Sequence, residues 1–572
     1  MRYITAARAA VVCFPSINHS NPKEFGNALE QHETVHDVGV GNAISRCLRL
    51  LSSFKEVSGA PGIAIAVSYN RKVLWQCGIG WADVENCVPC TSDSVMRIAS
   101  ISKPVTMTLV SQLVDSKKLD LDTPIQKYVP NFPVKKVDEK EVTINTRMLV
   151  SHMSGIRHYS KKEELESKRL EQKCDKCGQV KSRTKDEFLQ PEYYLTKEYN
   201  SVAKAMQLFQ DDDLISEPGT KFHYSTHAWT AVAAVIEGVM NKRFDHLLTE
   251  LFHTLGMNDT ALDRNLQITQ NRSRYYRRRK ISEFSSVLEN VPSVNCSHKW
   301  AGGGIHSTVH DLVKFAQIWI DSSRCFCSSR GLGKFPDDKN AVLSRNIVIE
   351  CWTPACGEDP KPVLTSHCNR CQCRCHATNS SMSHKMLSTV KQCGARENND
   401  KNILKNDDNK YTASNKNNNN ISSTENISNN GLGWFAVAPD HSASDIVERI
   451  GRVWHTGAAV GASSILLIIP PGVVGRQLCP KTNMTGIKST QDGTTHSGLI
   501  ENECCMYNEG FVVAVLCNLQ QCQGLSQFAR RVANIFLEEI FKSDIGRGTS
   551  CCTGCCSCKS ETVTQAVKYV LP

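Results

Sequence analysis

No run of about 18 apolar residues, the length a membrane-spanning helix needs, occurs in this chain of 572 residues. The longest candidate, ASSILLIIPPGVVG from Ala462, is broken by Pro470 and Pro471, which excludes a spanning helix there. Acidic residues are missing ahead of Glu24, whereas Arg2, Arg8 and Lys23 are present. That basic, small and acid-poor bias is the bias of a transit segment, and residues 1–35 are read as an N-terminal tail of that kind. Arg8 interrupts an already short apolar run, which argues against a secretory signal. The net charge is +10, yet no nucleic-acid-binding motif accompanies it. The densest basic stretch, RSRYYRRRK from Arg272 to Lys280, reads as a solvated hairpin strand. Its two tyrosines and Ile281 would face inward, with the arginines at its turn. No nucleic-acid partner is expected.

Cysteine is not scarce: there are 27, unevenly placed. Six lie between Cys351 and His376 and five in CCTGCCSCK, so the pattern is not an evenly stapled secreted domain. Cys174 and Cys177 with Cys368 and Cys371 could supply four thiolates to zinc. The two pairs are far apart and lie in segments that look inserted, so surface thiols are the favoured reading. No metal and no cofactor is expected. The cysteines of the tail, residues 543–572, are candidates for lipidation.

Length alone would hold about three or four average domains, but the pattern describes one body. NAISRCLRLLSSF carries Ile44, Leu48 and Leu51 at helical spacing. GIAIAVSYNRKVLWQCGIG reads as two strands around a turn at Asn70-Arg71. Ser100 to Lys117 is helical, with Val105, Leu109 and Leu113 on one face. From about 141 to 320 the pattern is mostly helical. INTRMLVSHMSGI would end at Gly155, AWTAVAAVIEGVM and FDHLLTELFHTLGM follow, and Thr308 with Asp311 forms a capping box. Residues 376–430 are rich in Asn, Ser, Lys and Asp and are expected to be disordered. GLGWFAV, SSILLIIP and FVVAVLCNL are strand-like, and Gln527 to Phe541 is a last helix. The fold class is therefore α+β: one antiparallel sheet built from both ends of the chain and flanked by terminal helices, with an all-α region inserted between its second and third strands. The catalytic body spans 36–542, with insertions at about 161–200, 322–430 and 474–510.

Three stretches carry chemistry. In RIASISKPVTM, Ser100 and Lys103 stand at i and i+3 and share a helix face. A serine hydroxyl needs a base to become a nucleophile, and a buried lysine can be that base because burial lowers its pKa. At a helix start, free backbone N–H groups would also suit an oxyanion. Ser102 lies about 200° around the helix from Ser100 and packs elsewhere. Tyr224, after a Pro-Gly turn, beside a lysine could be held partly as phenolate and act as general base; the plain alternative is a core tyrosine. His455-Thr456-Gly457 opens a strand, where Gly457 would allow close substrate approach.

Together these stretches resemble the serine beta-lactamase and penicillin-binding-protein superfamily, whose signatures are S-x-x-K, a Tyr- or Ser-x-Asn element and K-T-G. Tyr224-Ser225-Thr226 points to the class C and esterase-like branch. LVSHMSGI, DLDTPIQKYVP, AGGGIHSTVHDLVKF and GLGWFAV are similar to stretches of that branch, and the animal mitochondrial members are the most similar. The resemblance covers about residues 40–540. It implies a beta-lactamase/transpeptidase-like fold and an acyl-enzyme mechanism. Ser100 would attack a carbonyl with help from Lys103 and Tyr224. The N–H groups of Ser100 and Ala458 would form an oxyanion hole, and Thr226, His455, Thr456 and Gly457 would line the cleft. It further implies a mitochondrial peptidase of the intermembrane space, acting on a peptide or ester, linked to lipid metabolism, with peripheral membrane contact and assembly into oligomers or filaments. A catalytically quiet filament scaffold of the same fold is the alternative. Two departures bear on substrate: His455 stands where bacterial members have Lys, and Thr226 where Asn is usual. Both weaken the case for beta-lactams and leave the Ser-Lys-Tyr core intact.

Overall fold

Asn70 and Arg71 both take positive φ, 46° and 66°. A two-residue hairpin turn needs this at both central positions, because only that twist matches the flanking strands. The turn joins β1 (Gly62–Tyr69) to β2 (Lys72–Asp83), and Tyr69 pairs with Lys72 across it. The computed structural model describes residues 36–159, 191–282, 285–324, 342–355, 363–364, 429–478, 487–489, 495–497 and 503–547. The N-terminal tail, Cys174, Cys177, Cys368, Cys371, the low-complexity stretch up to 428 and the C-terminal cysteines lie outside them.

Among the described residues the largest sheet has seven strands. β3 (Val88–Pro89) follows β2, and four strands come from the far end of the chain: β4 (Phe435–Val437), β5 (Arg452–Ala459), β6 (Ala462–Ile469) and β7 (Phe511–Cys517). The order is β4-β5-β6-β7-β1-β2-β3, with each neighbouring pair antiparallel. β7 pairs with β1 from Ile63–Cys517 to Tyr69–Phe511, which joins the two ends of the chain at mid-sheet. β6 and β7 are buried at every position and β1 at all but Tyr69, so burial does not alternate along them; Ser68, Ser463 and Ser464 are buried with their apolar neighbours.

One face is covered by α1 (His36–Ser58) and α6 (Leu525–Arg547). Phe54 stacks on Phe528 at 4.5 Å, and Cys47, Leu51, Val532 and Phe536 fill the layer beneath. Arg46 ties the two helices at their surface, 3.0 Å from Glu539 and 3.3 Å from Glu538. The other face packs on the inserted region, which carries α2 (Ser102–Asp115), α3 (Thr226–Met240), α4 (Phe244–Thr254) and α5 (Val309–Ser323).

The inserted region is not wholly helical as expected. Met96–Arg97, Ile305–Ser307 and Ala261–Leu262 form a small sheet, Lys135–Val137 pairs with Lys140–Val142, and Tyr276–Ser282 pairs with Ser285–Asn290. Chain segments that cross between helices must pair their backbone groups, and short ladders do so. In the last hairpin Tyr276 is buried, but Ile281 is 59% exposed, against expectation. A register shift between Lys280 and Ser282 places Ile281 at the tip, past the body. The arginines are largely spent on local partners: Arg277 and Arg279 on Glu289, Arg274 on Asp83.

Other boundaries also moved. The helix expected to reach Gly155 stops at Val150, because His152 takes φ 60° and turns inward. Thr308 caps α5 by accepting from Asp311 N–H, but the Asp311 carboxylate accepts from Asp259 N–H and Thr260 Oγ1 rather than closing a box. Residues 191–200 and 342–355, inside stretches read as insertions, pack on the body. Cys351, expected with the surface thiols, is fully buried in the helix Arg345–Cys351 beside Trp352. Low complexity marks where a core is impossible, not where packing resumes.

Candidate active site

Ser100 sits in a 3-10 turn, Ala99–Ile101, two residues ahead of the start of α2 rather than within it. Ala99 has φ 49°, a strained value for a residue with a Cβ. The surroundings hold it there. Ser464 Oγ donates to the Ile98 carbonyl at 2.8 Å, and Ile98 N–H donates to Ile305 O at 3.0 Å. Arg97, itself buried, donates to Asp263 at 2.7 Å and to the Val460 carbonyl at 2.8 Å. Ser102 is buried and donates to Ala99 O at 2.6 Å, away from the Ser100 face, as its angular position required.

Lys103 is fully buried, with Nζ 3.0 Å from Ser100 Oγ and donating to Gly302 O at 2.6 Å. Burial, and then the charge of Lys299, hold its pKa well below the ordinary lysine value. Tyr224 Oη donates to Ser100 Oγ at 2.7 Å, and its ring lies 4.7 Å from the Lys103 amine. Burial pushes the phenol pKa up, against the weaker opposing effect of the Ser100 hydrogen bond. The phenolate expected from the sequence is therefore not what this site favours. A neutral amine beside a neutral phenol holds the same number of protons as an ammonium beside a phenolate, and a dry site prefers the pair without charges.

Sequence reasoning missed the groups that fix Tyr224. His152 stacks on its ring at 4.4 Å and accepts Ser225 N–H at 3.1 Å through Nδ1. His158 meets it edge-on at 5.6 Å and accepts Thr226 N–H at 3.2 Å. Burial holds the His158 pKa down to about 3, so its ring is neutral. Both lie in VSHMSGIRHY, a stretch legible as a resemblance but with no spacing that told of a contact to Tyr224. Ser225 caps α3, and Thr226, its first residue, lines the cleft with its side chain against Gly302. A Cβ at Gly302 would stand 2.8 Å from Thr226 Cγ2, so glycine there lets the carbonyl reach Lys103.

His455, Thr456, Gly457 and Ala458 fall in the middle of β5, not at its start. His455 is buried, and its Nδ1 donates to the Thr456 carbonyl at 2.7 Å. Burial, and then Lys103, lower its pKa to about 3. It is a neutral ring at physiological pH. Gly457 does not open space for substrate: a Cβ there would meet Ser464 Oγ at 2.1 Å and Ile98 O at 2.3 Å. The glycine brings β5 against the turn that carries Ser100. Gly457→Ala is expected to push strand and turn apart, lowering stability by about 1–3 kcal/mol and slowing reaction at Ser100. Urea unfolding checks the first part; a loss under about 0.5 kcal/mol contradicts it.

A cavity of about 500 Å³ opens over Ser100. Tyr224, Thr226, His455, Thr456 and Ala458 line it, while Lys103 lies beneath its floor. Of the eight residues expected from the sequence, six face or touch this space; Gly457 and Lys103 act from behind. A serine within hydrogen-bond reach of a buried amine, just ahead of a helix and beside a strand of an antiparallel sheet, is the arrangement of a serine beta-lactamase-like hydrolase. A family model described as Beta-lactamase matches residues 49–347, and the chain belongs to that family. It is similar to the protein named Serine beta-lactamase-like protein LACTB, mitochondrial. With that of Bos taurus it shares 30% identity over 552 residues, covering 89% of this chain and 82% of the relative. With that of Homo sapiens it shares 36% over 349 residues, covering 54% and 62%. The solved octameric penicillin-binding protein homologue from Pyrococcus abyssi has the same fold, with a TM-score of 0.51 at 15% identity over 86% of this chain and 77% of that one.

Proposed function

We propose that the chain is a serine hydrolase that works through an acyl-enzyme, with Ser100 as nucleophile. The observation that carries this is the fully buried Lys103 amine 3.0 Å from Ser100 Oγ, with Tyr224 Oη 2.7 Å from the same oxygen. With the amine neutral, its lone pair accepts the Ser100 proton as Oγ attacks a carbonyl carbon. The oxyanion is received by the N–H groups of Ser100 and Ala458. Tyr224, still protonated, gives its proton to the leaving group, and Lys103 restores it. Water then attacks the ester carbonyl by the same route and frees Ser100.

The substrate is a peptide or ester rather than a beta-lactam: His455 is neutral and turned onto a backbone carbonyl, and Thr226 offers a hydroxyl in place of an amide. A mitochondrial peptidase is the finer reading; the names of the relatives and the basic, acid-poor N-terminal segment support its mitochondrial part. A fold kept only for assembly has no physical need to bury a lysine amine against a serine. A fluorophosphonate probe tests the reading. It is expected to label the wild type and not Ser100→Ala; equal labelling of the two refutes it.

A further inference from the structure

Lys299 immediately precedes the short helix Trp300–Gly303 that offers the Gly302 carbonyl to Lys103. It is only 5% exposed and lines the cavity over Ser100. Its ammonium stands 5.0 Å from the centre of the Tyr193 ring and 5.5 Å from that of Tyr159. Among the described residues no carboxylate pairs with it. Glu192, next to Tyr193, is taken by Arg157 at 2.8 and 3.0 Å and by His227 at 2.9 Å. The described lining of the cavity holds no Asp or Glu at all, but does hold Lys299, Arg452 and Arg530. The two arginines face Glu448, at 3.5 and 2.6 Å. Lys299 does not.

A buried cation with only ring faces around it is incompletely compensated: cation–π contacts recover part of the lost hydration, and an anion recovers the rest. On β5, His455 is neutral and Arg452 already faces Glu448. We propose that Lys299, framed by Tyr159 and Tyr193, is the recognition site for an anionic substituent of the substrate, a carboxylate or a phosphate, so that this enzyme selects acidic substrates. The proposal rests on the hydrolase reading for its substrate, though not for its anion. Lys299 is held at this place by its own burial and by the two ring contacts.

The experiment compares p-nitrophenyl hemisuccinate, which is anionic, with p-nitrophenyl butyrate, which is neutral, on wild type, Lys299→Gln, Lys299→Arg and Lys299→Glu, each checked for folding by its melting curve. The ratio of kcat/KM for the anionic over the neutral ester is expected to fall about tenfold or more in Lys299→Gln. It should be retained in Lys299→Arg and inverted in Lys299→Glu. A ratio that is the same in wild type and Lys299→Gln overturns the site while leaving the hydrolase standing. In parallel, calorimetry with glutarate and with inorganic phosphate on Ser100→Ala reads the anion without turnover and tells carboxylate from phosphate. Should neither ester be hydrolysed, calorimetry decides on the anion site, and fluorophosphonate labelling on the hydrolase. Binding that disappears on adding Lys299→Gln upholds the anion site. No binding, or binding indifferent to Lys299, removes it.

Discussion

Replacing Lys103 by methionine is expected to cut the rate of fluorophosphonate labelling at Ser100 by about 10²- to 10⁴-fold, the usual worth of a general base, and to flatten the pH dependence of stability. Methionine nearly matches the lysine stem in volume, so the packing around this fully buried side chain survives. What disappears is the amine 3.0 Å from Ser100 Oγ. The sign of the stability effect follows from protonation. In the unfolded chain Lys103 is protonated below its ordinary pKa of 10.5; in the folded chain burial holds its pKa well below that value. Between the two the unfolded state binds the extra proton, so wild-type stability from this group drops as pH falls and recovers as pH rises. Methionine removes that slope but leaves the Gly302 carbonyl without its 2.6 Å donor, a fixed cost of about 1–3 kcal/mol. The difference in stability, variant minus wild type, should therefore become more favourable to the variant from pH 9 to pH 6. Urea unfolding at both values measures it. A difference independent of pH would mean that Lys103 keeps its proton in the fold, and the neutral-amine mechanism would then be wrong.

Asp263→Ala is expected to be the most damaging change outside the reacting groups, costing about 3–5 kcal/mol. Its carboxylate has no solvent exposure and sits between Arg97 at 2.7 Å and Arg272 at 2.5 Å. Removing it strands the Arg97 guanidinium, whose side chain is 5% exposed, without a counter-charge. Arg97 is also the brace of the strained turn, two residues ahead of Ala99, and its link to Val460 ties that turn to the loop after β5. Labelling at Ser100 should fall together with stability. The pair of arginines holds the Asp263 carboxyl well below the usual carboxylate range. Its stabilisation is therefore complete above the ordinary value of 3.8 and is lost as pH falls below it. The wild type should lose more stability than Asp263→Ala on going from pH 6 to pH 3. Asp263→Asn, which keeps the shape and one acceptor oxygen, should fall between the two. An Asp263→Ala protein within about 1 kcal/mol of wild type would show that the network is incidental.

What could be read ahead of the structure was local. Ser100 and Lys103 meet because a spacing of three residues places side chains on one face, even though the turn at Ser100 is 3-10 rather than α. The Asn70-Arg71 turn, the helices at Thr226 and Phe244 and the rotation of Ser102 away from Ser100 follow from neighbours in sequence. The family resemblance added Tyr224 and β5, because its three signatures come in order, and it gave no distances. The errors were of one kind. Ile281 is expected inward with the two tyrosines, but the hairpin tip shifts register. Cys351 was grouped with its cysteine neighbours, but a helix carries it into the core. Gly457 was read as room for substrate, yet the space it leaves is filled by Ile98 and Ser464.

By itself the sequence determined which residue types could do acyl transfer and that both ends of the chain build one sheet. Tertiary structure alone decided their protonation. Whether Lys103 is an amine or an ammonium, Tyr224 a phenol or a phenolate, and His455 a cation or a neutral ring depends on how much water each one loses and which charges stand nearby. Those quantities are set by Gly302, His152, Lys299 and the β7–β1 pairing, which come from segments far apart along the chain. Charge states are properties of the packed environment, and no spacing within one segment can state them.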